Sequence, residues 1–410
     1  MRPIALFPAA PRSPGGVLWC GAMTTLPLQP GDPAPWFVAP SPTNPRYHFD
    51  SVAGRYIVLC FFGSAAAPAV AEMLARIRGR TDIFDDEHAS FFGVSGDPDD
   101  ERLQRVAESY LGYRLFWDFG LKVSATYGAC EPRKPGQPAS YRPQSFILDP
   151  RLRVLAVMSI ADPAAHARAV IDHVAGLPQL GNRQPARPGA PVLLVPQLFE
   201  AELCRDLIGL YDRQGGEDSG FMTTGQDGKT VGVIDYGRKR RRDHLIEDAG
   251  LRQRIRERIE RRLLPEVRRA FQFRASFIER YIVACYDAGE GGYFRPHRDN
   301  TTKGTAHRRF AVTINLNAED YHGGDLCFPE FGRGTYRAPT GGAVVFSCSL
   351  MHEALPVTRG RRYCVLPFLY DEAGARVREA NLDYVADERL RGEVKQSLAA
   401  RPAALSDRTG

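Results

Sequence analysis

Tyr293-Phe294-Arg295-Pro296-His297-Arg298-Asp299-Asn300 opens a series of short segments that fixes the architecture of the second half of this chain. Phe310-Ala311-Val312-Thr313-Ile314-Asn315-Leu316-Asn317 follows, alternating apolar and polar as a half-buried strand does. Gly323-Gly324-Asp325-Leu326-Cys327-Phe328 comes next, then the turn Ala338-Pro339-Thr340-Gly341-Gly342 and the apolar strand Ala343-Val344-Val345-Phe346. His352-Glu353-Ala354-Leu355-Pro356-Val357-Thr358-Arg359-Gly360-Arg361-Arg362 closes the series. Upstream, Phe277 to Tyr286 reads as one strand, and Asp287 to Gly292 as a turn-rich break. Many short strands punctuated by glycine and proline predict an all-β unit.

Residues two apart on an extended strand share a face, so His297 and Asp299 can converge on one ion without distortion. A third donor must come from another strand, at any distance in sequence, and His352 supplies it. Two imidazoles and one carboxylate occupy one face of an octahedral metal and leave the other face open. Nitrogen and oxygen donors without thiolate, with open positions, suit Fe(II). Arg361 and Arg362 follow, and on a strand their side chains face opposite ways, so one of them enters the interior.

Taken in order, these pieces resemble the catalytic core of the Fe(II)/2-oxoglutarate-dependent dioxygenases, and within them the prolyl-4-hydroxylase-like group, from Tyr281 to Tyr370. The resemblance implies a double-stranded β-helix (jelly-roll/cupin) fold, with His297, Asp299 and His352 as iron ligands. The pattern Gly-x-Arg selects Arg362 to pair with the distal carboxylate of 2-oxoglutarate, where a planar guanidinium suits bidentate binding. Tyr286 matches a tyrosine that lines the co-substrate pocket, and Asn315 a polar partner for the same carboxylate. The carboxylate ligand favours oxygen insertion over halogenation. The resemblance further implies O₂ as co-substrate, succinate and CO₂ as products, and L-ascorbate as a reductant that rescues oxidised iron. The acceptor is left open between a protein side chain, prolyl among them, and a small metabolite.

A second unit precedes this one. Pro30-Gly31-Asp32-Pro33-Ala34-Pro35-Trp36-Phe37, the apolar run Tyr56-Ile57-Val58-Leu59-Cys60-Phe61-Phe62, and Phe91-Phe92-Gly93-Val94-Ser95 resemble the peroxiredoxins and related thioredoxin-fold proteins. Ser145-Phe146-Ile147-Leu148 and Val154-Leu155-Ala156-Val157 predict a hairpin, with Pro143 at the fold's cis-proline position and an amphipathic helix from Ala164 to Ala175. The reactive thiol of that family sits where the central strand meets its helix. Here Ala66 and Ala69 occupy the two cysteine positions. Cys60 reads as packed core and Cys130 as a loop residue. The unit is therefore expected to be a redox-inactive scaffold.

The fold expected is thus two-domain, an α/β thioredoxin-like N-terminal domain and a double-stranded β-helix with bracing helices. Residues 1–22 read as a disordered or mis-called extension with Met23 as the natural start. Residues 23–177 form the front domain, 178–191 a linker, 192–372 the oxygenase domain with its core at 280–371, and 373–410 a tail. Within the second domain, Glu200 to Arg213 has helical spacing. Leu251, Ile255, Ile259, Leu263 and Val267 recur every four residues and predict one long amphipathic helix. The segment from Met222 to His244 reads as loop and substrate-side cover.

The 410 residues, 43% hydrophobic and 25% charged, have the composition of an ordinary globular protein. No run is apolar enough to span a membrane. Eight cysteines without a C-x-x-C pair predict a reducing, cytoplasmic setting rather than a disulfide framework. The net charge of +6 is mild, and the run Arg238-Lys239-Arg240-Arg241-Arg242 reads as a solvated loop edge rather than a contact with an acidic substrate or nucleic acid. His307 and His322 are placed at the site's mouth or in solvent, and His244 on a solvated loop. Two other classes stay open: a thiol peroxidase, which Ala66 and Ala69 oppose, and a binding or regulatory protein with a vestigial iron site.

Overall fold

The computed structural model describes residues 27–131, 140–181 and 189–386, together with 388, 391, 392 and 395. The proposed extension before Met23 and most of the helix-prone stretch 387–399 lie outside the described residues.

The front domain is a five-stranded sheet in the order Tyr113–Trp117, Ala89–Ser95, Tyr56–Gly63, Gln144–Leu148, Val154–Ser159. The first three strands run parallel and the last two antiparallel. Tyr56–Gly63 is central, and its unbroken apolar run follows from burial on both faces. One face packs on the helices Pro68–Arg78 and Pro163–Ala175. Each helix starts on a proline, whose missing N–H costs nothing in the first turn, and Asp162 caps the second by accepting from Ala164 N. The other face is an aromatic core in which Phe37 stacks on Phe49, and Phe92 on Phe116.

Pro143 departs from expectation. The bond before it is trans, because among the described residues only Tyr110–Leu111 is cis. Its carbonyl accepts from Ile160 N at 2.9 Å, which seats it as an ordinary strand opener beside the neighbouring strand's end.

In the second domain the larger sheet runs Phe277–Glu279, Phe368–Tyr370, Phe310–Asn315, Arg361–Val365, Ile282–Asp287, Arg242–Leu245, Glu217–Asp218. Ala343–Ser347 pairs with Phe310–Asn315 and carries Leu193–Val195 on its other edge. The smaller sheet runs Lys239–Arg240, Tyr293–His297, His352–Ala354, Leu326–Cys327, Thr335–Tyr336. The two sheets make the jelly roll. Strand alternation sorts their side chains: Val283, Cys285, Tyr363 and Val365 pack outward on the helices, while Ala284, Tyr286 and Cys364 face the interior.

The bracing helices are Ala201–Gln214, Ala249–Arg258 and Leu264–Phe271. Ile255, Ile259, Leu263 and Val267 are fully buried as their spacing requires, and the helical run is unbroken from 249 to 271 but widens at its middle. Ile259–Leu263 forms a π turn. Pro265 explains it, because a proline cannot donate to the carbonyl one turn back and crowds it, and the ladder re-forms with a wider turn. Truncating Ile259 to Ala would cost about 2–5 kcal/mol at such a buried position.

Three further expectations are corrected. The single strand from Phe277 to Tyr286 is two strands, broken at Arg280, whose φ of 70° is left-handed. The segment Met222 to His244 is largely paired: Phe221–Thr224 and Thr230–Val233 form a hairpin, and two strands follow. Beyond Asp371, the helix Glu372–Ala380 and the turn Leu382–Tyr384 bring the chain back to that hairpin, where Val385 bridges Thr230 and Tyr384 covers Lys303.

Candidate metal centre

His297 and His352 are direct partners in an antiparallel strand pair, so the register of the smaller sheet brings together two histidines that are distant in sequence. Asp299 follows His297 by two residues and is held by its N–H on Cys348 O at 3.0 Å. Asp299 Oδ1 lies 3.6 Å from His297 Nε2, and Oδ2 lies 3.4 Å from His352 Nε2. One ligand atom from each of the three lies within 4.8 Å of the others, close enough for all three to reach a single ion.

The imidazoles are pre-oriented. His297 Nδ1 lies 2.8 Å from Arg295 O, and His352 Nδ1 lies 3.0 Å from Leu350 O. A carbonyl only accepts, so Nδ1 carries the proton and Nε2 turns its lone pair to the common point. Burial pushes His352 down to about 4, which keeps it a neutral ligand. Burial alone would raise the Asp299 carboxyl, but His352, His297 and Arg308 hold it well below the usual carboxylate range. The donor set and its protonation therefore fit a divalent ion such as Fe(II).

A cavity of about 360 Å³ opens on the triad. Arg362 lines it and is 2% exposed, while Arg361 points out to Asp287 at 2.7 Å, as strand alternation predicts. Arg362 donates to Gly324 O at 2.6 Å and lies 5.1 Å over the ring of Tyr286. Its Nε is buried without a partner, so the guanidinium retains a donor for an incoming acceptor. Tyr286 lies directly opposite Arg362 in the strand register and also lines the cavity. Asn315 does not line it. Its Nδ2 donates to Ala338 O at 2.7 Å, which ties it to a turn, and Thr313, two residues earlier on the same face, lines the cavity instead.

The basic run is the main correction. Lys239 and Arg241 are buried in the cavity wall, whereas Arg238, Arg240 and Arg242 are exposed. Strand alternation within the run produces this division, and that periodicity was the signal available in sequence. Arg241 pairs with Asp243 at 2.6 Å and reaches Tyr286 Oη at 3.4 Å. Arg308 pairs with Glu279 at 2.7 Å and donates to Asp299 O. His307 is 1% exposed, not solvated, and bonds the same Glu279 through Nε2. His244 stands half-buried on a strand, and His322 is exposed beside Arg359.

The front domain's corresponding site holds no thiol. Ala66 and Ala69 are exposed at the start of the first helix. Around them Ser64 donates to Asp97, and the Ala65 N–H donates to Asp100, which Arg105 also contacts. Cys60 is fully buried on the central strand, and burial pushes its thiol up to about 12. All seven described cysteines are free and buried.

A facial His₂-carboxylate triad inside a jelly roll is joined here to a thioredoxin-like domain without its cysteine. Comparison with known proteins shows what each part is similar to. Residues 281–370 match the 2OG-Fe(II) oxygenase superfamily, and residues 30–157 match the AhpC/TSA family. The first family implies Fe(II), 2-oxoglutarate and O₂. A PKHD-type hydroxylase of Maricaulis maris is 28% identical over 165 residues, which is 40% of this chain and 68% of the relative. One from a Synechococcus strain is 30% identical over 102 residues, 23% of this chain and 45% of its own length. The chain thus spans less than half of the Synechococcus protein. A Pseudomonas putida prolyl-4-hydroxylase structure aligns with a TM-score of 0.34 and 18% identity, covering 50% of this chain and 98% of that one.

Proposed function

We propose that the protein is an Fe(II)- and 2-oxoglutarate-dependent hydroxylase of C–H bonds, acting on a protein side chain or a small molecule. The observation that carries this reading is the convergence of His297, Asp299 and His352 beside Arg362 and Tyr286 on one cavity. Iron held there supplies O₂ activation, so that R–H, O₂ and 2-oxoglutarate become R–OH, succinate and CO₂. The chain's own part is to hold both imidazoles as Nδ1–H tautomers, keep Asp299 ionised, and offer Arg362 to the co-substrate's far carboxylate. Tyr286 and Arg241 close the wall behind that carboxylate. Ascorbate would serve as reductant and the cytoplasm as compartment, the latter fitting the free cysteines.

The test is succinate formation by the purified chain with Fe(II), 2-oxoglutarate and ascorbate. Activity that is metal-dependent and lost in Asp299→Ala supports the reading. No turnover, or turnover that survives loss of the triad, overturns it.

A further inference from the structure

Seven of the described side chains that line the cavity are arginine or lysine, and one, Asp299, is a carboxylate. Carboxylates behind the wall answer some of this charge: Asp243 pairs with Arg241, Glu279 with Arg308, and Glu330 with Arg298. Arg362 is taken by the co-substrate if the proposed function holds. Arg238 is exposed, and the half-buried Arg280 donates to Leu366 O with no ion pair to a described carboxylate. Lys239 shares that lack and is the more deeply buried of these cations. Its Nζ donates to Ser219 Oγ at 2.8 Å and to Gly220 O at 2.6 Å, no described carboxylate is in ion-pair contact with it, and burial and the neighbouring Arg241 hold its pKa well below the usual lysine value. It is nevertheless 4% exposed. An ammonium removed from water and given only neutral acceptors is costly, and a site that maintains one gains when an anion comes alongside.

Position separates this cation from the co-substrate's. Lys239 lies 5.0 Å over the ring of Phe294, which itself stacks on His297. Arg362 lies over Tyr286, a ring that Arg241, paired with Asp243, also contacts. Lys239 and Arg362 are thus backed by different rings, Phe294 and Tyr286. The cavity's volume is that of a pocket for small ligands.

We propose that the acceptor hydroxylated at this site is a small organic acid, whose carboxylate or phosphate group sits on Lys239 while its reacting carbon faces the triad. This rests on the hydroxylase reading above. The other role open to Lys239 is to tie down the base of the hairpin through Gly220, and the test separates the two.

Lys239→Met and Lys239→Arg are compared with the wild-type chain in two assays. The first needs no turnover: inorganic phosphate and acetate, as probes, are titrated calorimetrically into the 2-oxoglutarate-loaded protein. Binding of either probe at least tenfold weaker in Lys239→Met, and retained in Lys239→Arg, supports the proposal and shows which anion is preferred. Equal binding in wild type and Lys239→Met, or none in wild type, overturns it.

In the second, cell extract is divided into small anions retained on an anion exchanger, small unretained molecules, and macromolecules. Each fraction is incubated with enzyme, Fe(II) and 2-oxoglutarate and searched for a gain of one oxygen. The product is expected in the anionic fraction, reduced at least tenfold by Lys239→Met and retained in Lys239→Arg. A product in either other fraction, or none in any fraction while basal succinate formation without acceptor continues, overturns the proposal. Absence of basal succinate from the wild type overturns the hydroxylase reading alone, and the titration still decides the anion site.

Discussion

Asp32 and Arg262, 230 positions apart, form an ion pair at 3.0 Å across the contact between the two domains, with Asp32 only 1% exposed. Arg261 reaches the same carboxylate at 2.5 Å. From the front domain, Arg153 answers by pairing with Glu266 at 3.6 Å and donating to the carbonyls of Arg262 and Gln197. The thioredoxin-like domain lacks the thiol but makes a polar lock on the bracing helices, which cover the outer face of the larger sheet, the one that carries Arg362.

Asp32→Ala would strand Arg262 in that contact. Removing one partner of a buried pair costs about 3–5 kcal/mol, because the other charge stays desolvated. The expected outcome is a lowered chemical-denaturation midpoint for the whole chain, with a smaller loss in Arg261→Ala, whose side chain is more exposed. An unchanged midpoint in Asp32→Ala would show that the domains do not support one another.

Each of His297→Ala, Asp299→Ala and His352→Ala should abolish stoichiometric Fe(II) binding, measured anaerobically by equilibrium dialysis. All three donors share one ion, so the losses should be similar and non-additive in pairs. Full-strength iron binding by any single variant would place the metal elsewhere.

Arg362→Ala should raise the 2-oxoglutarate KM at least tenfold, since losing a buried charged partner costs about 2 kcal/mol or more. Arg361→Ala, whose side chain points to solvent and Asp287, should change it by less than twofold. Steady-state succinate assays over a range of co-substrate concentrations make the comparison.

Cys60 should resist alkylation by iodoacetamide at pH 8 in the folded chain, because burial holds its thiol at about 12 and excludes reagent. Mass spectrometry after brief labelling measures this. Rapid modification, or peroxide consumption removed by Cys60→Ser, would revive a peroxidase role for the front domain.

Asp86 gives a pH signature. Burial alone would raise its carboxyl, but the two-pronged contact with Arg114 and the bond from Ser90 bring it to about 2 from 3.8. A depressed carboxyl stabilises the fold above its unfolded value and loses that contribution as pH falls toward 2. The contribution at neutral pH is about 2 kcal/mol. Asp86→Asn should therefore destabilise the chain at pH 7 and flatten the decline in denaturation midpoint between pH 4 and 2.

Much of this was legible in sequence because it depends on local rules. Two-residue periodicity placed His297 beside Asp299 and separated Arg361 from Arg362. An apolar run flanked by turns marked the central strand of the front domain, and two alanines showed the missing thiols. Asn315 was misplaced because its alternation is right but its depth along the strand is not local information. The π turn was hidden because a four-residue apolar repeat does not say how the ladder accommodates Pro265.

Other features depended on partners far away in the chain. The lysine and arginines of the run 238–242 look alike as letters. Pairing Lys239 with Phe294 and Arg242 with Cys285 turns alternate members inward, and only then does Lys239 become a buried cation beside the metal site. Asp32 meets Arg262, and His307 meets Glu279, for the same reason. Sequence spacing constrains which side chains can share a face. Only the closing of the sheets and the docking of the domains decides which faces meet, and therefore which charges must find a partner away from water.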